Sequence, residues 1–135
     1  SHAELLHRRL ATLPAIRRTI PPAHIGHSYY KYYAFLRPEQ LRPGWDRDRI
    51  VRAVQAEGIP CGSGICPEIY REAAFAHARQ EAYPRLPIAQ ALGETSLMLL
   101  VHPTLSQRDV ALEASALEKV LRVATRESSR TAEAA

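Results

Sequence analysis

The sequence predicts a small α/β (or α+β) domain in which helices pack against a three- to four-stranded, largely antiparallel sheet. Its 135 residues are 46% apolar and 24% charged, an ordinary composition for one globular domain. Segments with the helical spacing of apolar residues alternate with short runs that are typical of strands. The predicted order is helix, strand, helix, short strand, helix, strand and helix, which favours a sheet layer with helices packed on it.

The first half of the chain is predicted to begin with a helix and a strand. Leucines recur at helical spacing over residues 3–13, and Pro14 ends this helix. Residues 14–26 follow as an irregular connector. Residues 28–37 are rich in tyrosine and other strand-forming residues, and both faces of this strand are mostly apolar. We therefore expect the strand to be covered on both sides.

A second helix is predicted to follow Trp45. Asp46 is a suitable N-cap, because its carboxylate can accept hydrogen bonds from the free N–H groups of the first turn. Trp45 and Ile50 stand at the two positions of a hydrophobic staple. Ile50, Val51 and Val54 belong to the buried face, and Gly58 is a fitting C-cap.

The second half is predicted to contain two strands and two helical segments before the last helix. Residues 59–64 form a short strand, at an edge of the sheet because Pro60 lacks an N–H group. Residues 68–78 are predicted to form a helix, and residues 88–92 form a further helical turn closed by a glycine. Residues 96–101 are a continuous apolar run of strand length, which predicts a buried strand.

The last helix is predicted to begin at Ser106, with Asp109 at the spacing of a capping box. A buried stripe with helical spacing follows, formed by Val110, Ala114, Leu117, Leu121 and Ala124. For the domain organisation, we expect an interdomain-type helix at residues 1–13, the small domain at residues 14–125 and a polar tail at residues 126–135.

Charge and composition argue against several function classes. The net charge is +4, but almost all positive charge is arginine spread along the chain, which argues against direct nucleic-acid binding. No run of about 18 apolar residues is present, so no membrane span is predicted. The residues Ser1-His2-Ala3 show no signal-peptide pattern, and we expect a cytoplasmic location.

The cysteines do not predict a metal centre. Cys61 and Cys66 have a spacing that fits neither the usual zinc sites nor a disulfide framework, so two reduced thiols are expected. A metal site that combines them with His77 or His102 is the open alternative. We expect His102 to order the turn into the last helix.

The stretch at residues 58–75, GIPCGSGICPEIYREAAF, is the most informative part of the chain for function. Glycines flank Ser63 and would let a ligand approach the backbone closely, so Ser63 and Gly64 are candidate substrate-binding residues. A tight structural turn is the alternative. Glu68 and Tyr70 are candidates as well, although a helix start favours a carboxylate such as Glu68 in any case, and Tyr70 could simply pack.

Tyr29 is the fifth candidate substrate-binding residue. It opens the tyrosine-rich strand together with Tyr30, and one of the two could reach the rim of a site while the other packs in the core. Lys31 beside them is interpreted as a solvated strand lysine, and contact with a nucleotide diphosphate is the alternative. No residue of the chain is predicted to be catalytic, cofactor-binding or metal-binding.

Three strings follow one another in a specific order. His27, Tyr29 and Tyr32 form an H-x-Y-x-x-Y pattern, residues 57–59 read EGI at a helix end, and residues 102–110 read HPTLSQRDV. In this order and spacing they resemble the C-terminal small domain of the DegT/DnrJ/StrS sugar aminotransferases, which are pyridoxal-phosphate enzymes of fold type I. The resemblance covers nearly the whole chain.

The resemblance implies a parent enzyme that uses pyridoxal phosphate to transfer an amino group, with glutamate as donor, to a nucleotide-linked keto-sugar. It also implies a homodimer and a larger N-terminal domain that carries the Schiff-base lysine and lies outside this sequence. Lys31 and Lys119 match no lysine motif of the family, so we expect this chain alone to hold no cofactor and to be inactive. The loop at residues 60–70 departs from the common family pattern, which implies a distinct amino acceptor.

Two other interpretations compete with the aminotransferase. A free-standing α/β binding or regulatory module would use the glycine-rich loop to hold a small anion. A nucleic-acid-binding domain would use the basic, tyrosine-rich strand, but the chain has neither an RNP-type pattern nor an arginine cluster.

Overall fold

The computed structural model describes residues 1–64, 66–75 and 84–126. The elements in chain order are α1 (His2–Leu10), β1 (Ile16–Arg18), β2 (Tyr32–Leu36), α2 (Arg47–Ala56), β3 (Cys61–Gly62), α3 (Pro87–Thr95), β4 (Ser96–Leu99) and α4 (Gln107–Ala124). Short 3-10 turns occur at Pro38–Gln40, Ile69–Arg71 and Ala73–Phe75. The predicted fold class, an α/β domain with an antiparallel sheet, is confirmed.

The four strands form one sheet in the order β1-β2-β4-β3, and each neighbouring pair is antiparallel. Tyr32 lies opposite Leu99 and Ala34 lies opposite Leu97. Because side chains alternate between the faces of a strand, these four residues point to the same side, where each is only 1% exposed. The core therefore lies against this face of the sheet.

Helices α1, α2 and α4 cover the core face. Helix α4 contacts both α1 and α2, and α2 also contacts β3 and β4. The predicted stripe of α4 is confirmed, since each of its five residues is at most 1% exposed: Val110, Ala114, Leu117, Leu121 and Ala124. Bidentate hydrogen bonds of 2.8 and 2.6 Å from Arg9 to the Glu118 carboxylate hold α1 beside α4.

The opposite face of the sheet is less well covered than we expected from the sequence. Along β2, Tyr33 and Phe35 are half-buried while their neighbours are buried, so the expected cover of the second face is only partial. The guanidinium carbon of Arg17 lies 4.3 Å from the centre of the Phe35 ring. An aromatic ring under a solvated arginine tolerates this partial exposure.

The predicted helix caps are confirmed. The Asp46 carboxylate accepts from the Arg49 N–H at 2.7 Å. Gly58 follows the C-cap of α2 with φ at +81°, a left-handed conformation that favours glycine. At α4, Ser106 and Asp109 cap each other's backbone N–H groups at 3.2 and 2.8 Å.

Three sequence predictions need correction. The connector at residues 14–26 contains strand β1, whose pairing with β2 depends on contacts distant in sequence. The helix predicted at residues 68–78 is replaced by two 3-10 turns, because the Glu68 carboxylate bonds to Arg85 instead of capping a first turn. Residues 76–78 lie outside the described residues. The turn at residues 88–92 is part of the longer α3 and is not closed by Gly93, which lies within that helix.

The two strands predicted in the second half are confirmed as β3 and β4, and β3 lies at an edge of the sheet as expected. Of the polar tail predicted at residues 126–135, all but Arg126 lies outside the described residues. In the described part of the chain, none of the helices is long and apolar enough to span a membrane.

Candidate functional site

Tyr29 and Tyr32 hold the ring of His7 between their hydroxyl groups. Nε2 of His7 lies 2.8 Å from the Tyr29 hydroxyl, and Nδ1 lies 2.9 Å from the Tyr32 hydroxyl. A neutral imidazole has one N–H donor and one acceptor nitrogen, so one tyrosine accepts from His7 and the other donates to it. The two contacts join α1 to Tyr29 and Tyr32. Because β2 begins at Tyr32, Tyr29 lies before the strand and does not open it as expected.

The backbone at Tyr29 is held in an uncommon conformation. Its φ is +48°, in the left-handed region that bulky residues seldom adopt. The Tyr29 N–H donates to Nδ1 of His27 at 3.0 Å, and the two rings lie 4.3 Å apart. Together with the bond to His7, these contacts stabilise a conformation that would otherwise be strained.

We call His7, Tyr29 and Tyr32 the His7 cluster, and its imidazole is uncharged at neutral pH. Burial, followed by the nearby positive charge of Arg18, lowers the pKa of His7 below its ordinary value. Burial also raises the pKa of Tyr32 to about 12. Arg18 donates to the His7 backbone carbonyl at 2.9 Å, which fixes the last turns of α1 beside β1. The cluster therefore positions Tyr29 without placing a charge on the imidazole.

Tyr29 lines an open recess of about 580 Å³ between the start of α1 and the connector before β2. Its polar lining includes His2, His27, Ser28 and Gln107. A recess of this volume has the size of a small-molecule site, and these donors and acceptors suit a polyhydroxylated ligand. We call it the Tyr29 recess.

The glycine-rich loop lies at the other side of the sheet. Gly64 has φ at +89°, and a Cβ atom there would lie 2.8 Å from Cε1 of Tyr33. Only glycine permits both this conformation and this approach of the loop to the aromatic ring. The hydroxyl of Ser96 donates to the backbone carbonyl of Ser63, so the loop is tied to the start of β4.

Glu68 and Tyr70 belong to an internal network with Arg85. The Arg85 guanidinium donates to both carboxylate oxygens of Glu68, at 2.7 Å from Nη2 to Oε2 and 3.1 Å from Nε to Oε1. Tyr70 donates to Oε1 at 2.7 Å and accepts from the Leu86 N–H at 3.0 Å. The hydrogen bond from Arg85, followed by that from Tyr70, lowers the pKa of Glu68 to about 2. The carboxylate is thus ionised and occupied by partners within the fold.

The structure brings only some of the sequence-predicted candidates together. Glu68 and Tyr70 share one network, and Gly64 lies on the adjoining loop. Tyr29 is joined through His7 to Tyr32, whose side chain points to the core face, whereas the Gly64 loop contacts Tyr33 on the opposite face. The candidates therefore form two groups on the two faces of the sheet.

Sequence reasoning missed the partners of these residues. His7 and Arg85 each complete a network, but neither lies in a motif, and the contacts span 22 and 17 residues of sequence. His102 bonds through Nδ1 to the Thr104 side chain at 2.8 Å, in the turn before α4 where we expected it to act. No sequence signal identifies His7 or Arg85 as a partner of these residues.

Glu113 is a buried carboxyl group on α4. The residue is 3% exposed, and its Oε2 has no hydrogen-bond partner among the residues that the structure describes. Burial, with a smaller contribution from Asp109, raises the pKa of Glu113 to about 7. The pKa of the nearby Cys61 thiol is raised to about 11, mainly by burial. The Cys61 thiol is therefore neutral at pH 7, whereas the Glu113 carboxyl is predominantly neutral only below about pH 7.

The described residues contain no cluster of three or more metal-binding side chains. Cys61 is buried, whereas Cys66 is exposed and donates to the Glu72 carboxylate at 2.7 Å. His77, the other residue of the alternative metal site, lies outside the described residues. Neither lysine lines the Tyr29 recess: the Lys31 ammonium lies 5.4 Å from the Tyr30 ring centre, and Lys119 pairs with Glu57 at 2.6 Å.

The chain is similar in sequence and fold to known aminotransferases. The sequence profile of the DegT/DnrJ/EryC1/StrS aminotransferase family matches residues 1–118. An aminotransferase from Psychrobacter cryohalolentis is 34% identical, with a TM-score of 0.81 over 91% of this chain and 33% of that one. TlmJ, an aminotransferase from Streptoalloteichus hindustanus, is 24% identical, with a TM-score of 0.75 over 90% of this chain and 30% of its own.

A third solved structure shares the fold at lower identity. DesI, crystallised in the presence of its TDP-sugar product, is 18% identical, with a TM-score of 0.74 over 89% of this chain and 29% of its own. The chain thus spans about a third of the length of these solved proteins. No curated protein matches it in sequence.

Proposed function

This chain belongs to the DegT/DnrJ/EryC1/StrS aminotransferase family, and we propose that it is the C-terminal small domain of a pyridoxal-phosphate-dependent sugar aminotransferase. The observation that carries the proposal is the match of the family profile to residues 1–118, together with a fold that covers a third of a 34% identical aminotransferase. The remaining two thirds of such a protein would form the larger, cofactor-holding domain.

The residues of this chain do not by themselves fit pyridoxal phosphate. The cofactor needs a lysine amine for its covalent attachment, in a site that shields it from water. Lys119 is on the surface and paired with Glu57, and Lys31 lies beside the exposed ring of Tyr30. We therefore propose that the attachment lysine and the phosphate contacts come from the rest of the parent protein, and that this chain alone transfers no amino group.

The proposed substrates are those that the family resemblance implies. We propose that the parent enzyme takes the amino group from glutamate and transfers it to a nucleotide-linked keto-sugar. The TDP-sugar product in the DesI structure supports an acceptor of this class. A homodimer and a cytoplasmic location are part of the same proposal, as is the assignment of the small domain to residues 14–125.

Within this chain, Tyr29 would offer its hydroxyl to the sugar from the recess, with His7 and His27 fixing its position. Ser63 and Gly64, on the other face of the sheet, would border the acceptor. Glu68 and Tyr70 would contribute mainly by holding that loop in shape, because their polar atoms already bond to Arg85 and to each other. Because these two groups lie on different faces of the sheet, each would contact a different part of the nucleotide-linked sugar.

The experiment is a kinetic comparison in the full-length protein. Tyr29→Phe and Ser63→Ala should each raise the KM for the sugar acceptor about three- to tenfold, the loss of one hydrogen bond, and leave the cofactor absorbance unchanged. Tyr30→Phe is the matched control for Tyr29, because Tyr30 is 83% exposed and should not matter. Unchanged acceptor kinetics in both variants would remove these residues from the site. A full-length protein without cofactor absorbance would instead favour a free-standing binding module.

A further inference from the structure

Helix α3 carries apolar side chains that the described part of the chain does not cover. The helix reads PIAQALGET, yet none of its residues is buried. Ile88 is 75% exposed and Leu92 is 37% exposed, and Leu86 just before the helix is 53% exposed. A helix with this apolar content normally buries one side against a partner, so α3 lacks most of its packing surface here.

The two 3-10 turns add further exposed apolar groups beside α3. Ile69 is 62% exposed and Phe75 is 45% exposed. Two contacts join their segment to the residues just before α3. Arg85 donates to both carboxylate oxygens of Glu68, and the Leu86 N–H donates to the Tyr70 hydroxyl. We call the exposed side chains on the two segments the α3 surface; they are Ile69, Phe75, Leu86, Ile88 and Leu92.

A third contact shows that the two segments are closely packed. Pro67 lies so near Gly93 that a Cβ atom on this glycine would be 2.2 Å from the proline Cγ. The guanidinium of Arg47 donates to the Gly93 carbonyl at 2.7 Å and ties the same point to α2. These contacts hold the α3 surface in place. The polar groups beside it are hydrogen-bonded within the domain, whereas its apolar side chains are exposed.

The chemistry of this surface favours an apolar protein partner. Glu68 and Arg85 neutralise each other, and the charges nearby are of both signs, with Arg71 beside Glu72 and Glu94 at 4.0 Å from Arg85. A phosphate or nucleic acid would require an excess of positive charge. Contiguous exposed apolar groups with a polar rim are typical of protein interfaces.

We propose that the α3 surface is the docking surface for the remaining two thirds of the parent protein. The inference rests on the proposed function, and its argument is length: solved members that share this fold are about three times as long as the chain. A larger domain of the same polypeptide needs an apolar face to pack against. Docking there would also bring the glycine-rich loop, which runs directly into this surface, next to the cofactor-holding domain.

The test is hydroxyl-radical footprinting of the full-length protein, which reads the exposure of individual side chains. Phe75, Leu86 and Ile88 should be oxidised at least about fivefold more slowly than Leu112 and Val123. The latter two are internal controls, because they are 50% and 56% exposed on α4 and lie about three turns apart, outside the α3 surface. Equal oxidation of the two groups would overturn the proposal.

A pair of variants identifies the occupant. Ile88→Asp should restore the oxidation of Phe75 in the full-length protein at least about threefold, whereas Leu112→Asp should leave it unchanged, because a buried charge disfavours docking. Should Ile88→Asp fail to fold, the wild-type footprint still decides. Protection that disappears on dilution would assign the surface to a second copy and overturn the proposal, as would protection of Phe75 that persists in a well-folded Ile88→Asp variant.

This readout is independent of the proposed chemistry. A protein that shields the α3 surface but transfers no amino group would contradict the proposed function and leave the docking surface intact. A protein that transfers amino groups although its α3 surface is freely oxidised would support the proposed function and contradict the docking surface.

Discussion

Nε2 of His7 lies 2.8 Å from the hydroxyl of Tyr29, and this bond joins the first helix to a residue that lines the Tyr29 recess. Tyr29 is thereby held in a left-handed backbone conformation at the entry to β2. The second bond of the same ring, to Tyr32, extends into the core. The imidazole of His7 therefore links helix α1 both to the Tyr29 recess and to the core.

Replacing His7 should destabilise the protein more than replacing its outer partner. His7→Ala leaves the hydroxyl of the buried Tyr32 without its partner, which lowers the free energy of unfolding by about 1–3 kcal/mol. Tyr29→Phe removes only the outer hydrogen bond and should lower it by about 1 kcal/mol or less. Urea denaturation of both variants measures the difference, and equal effects would contradict the inward role of His7.

Gly64 should tolerate no side chain. Gly64→Ala forces a left-handed φ on alanine and places its Cβ 2.8 Å from the Tyr33 ring, which should lower the free energy of unfolding by about 1–3 kcal/mol. Gly26→Ala is the matched control, because a Cβ there meets nothing within 4 Å and the φ of Gly26 is not left-handed. Thermal denaturation of the pair tests this, and similar melting temperatures would contradict the packing of the loop.

Glu113 should make the protein less stable as the pH rises. Because burial raises its pKa from 4.5 to about 7, the folded protein binds this proton more tightly than the unfolded chain. Its contribution to the free energy of unfolding is then greatest below pH 4.5, declines up to about pH 7 and is absent above. Glu113→Gln should flatten this slope and stabilise the protein by about 1 kcal/mol at pH 8. A slope that is the same in both proteins would show that Glu113 is not the titrating group.

Glu68 should act in the opposite direction. Its pKa is lowered to about 2, so its contribution to stability is full above about pH 4.5 and is lost as the pH falls towards 2. Glu68→Gln should lower the melting temperature at pH 7 and reduce the acid sensitivity. Glu94→Gln is the control, since Glu94 is 61% exposed and 4.0 Å from Arg85, and should have little effect. Equal melting temperatures for the two variants would argue against the Glu68 network.

The sequence predicted most reliably those elements that local chemistry determines. Each of these features depends on residues of a single helix: the stripe and capping box on α4, and the Asp46 cap on α2. The sequence pattern therefore agrees with the structure at these places. Strand β1 was missed because it is three residues long, only Ile16 is buried, and its pairing with β2 is formed at long range. The helix predicted at residues 68–78 was wrong for a similar reason, since Arg85, seventeen residues away, takes the Glu68 carboxylate.

The candidate site was predicted in part. The resemblance and the glycine pattern indicated Tyr29 and the loop at residues 60–70, but not that the two lie on different faces of the sheet. Their partners His7 and Arg85 are ordinary residues in sequence and become informative only when the fold brings them close.

The central claim is that this chain is the small domain of a sugar aminotransferase that depends on pyridoxal phosphate. The most direct measurement supplies the full-length protein with pyridoxal phosphate, glutamate carrying isotopically labelled amino nitrogen, and a set of nucleotide-linked keto-sugars, and follows the products by mass spectrometry. We predict a labelled amino-sugar nucleotide, together with cofactor that borohydride fixes to a lysine other than Lys31 or Lys119. Cofactor fixed to either of these lysines, or no transfer of label to any sugar in the presence of bound cofactor, would contradict the account.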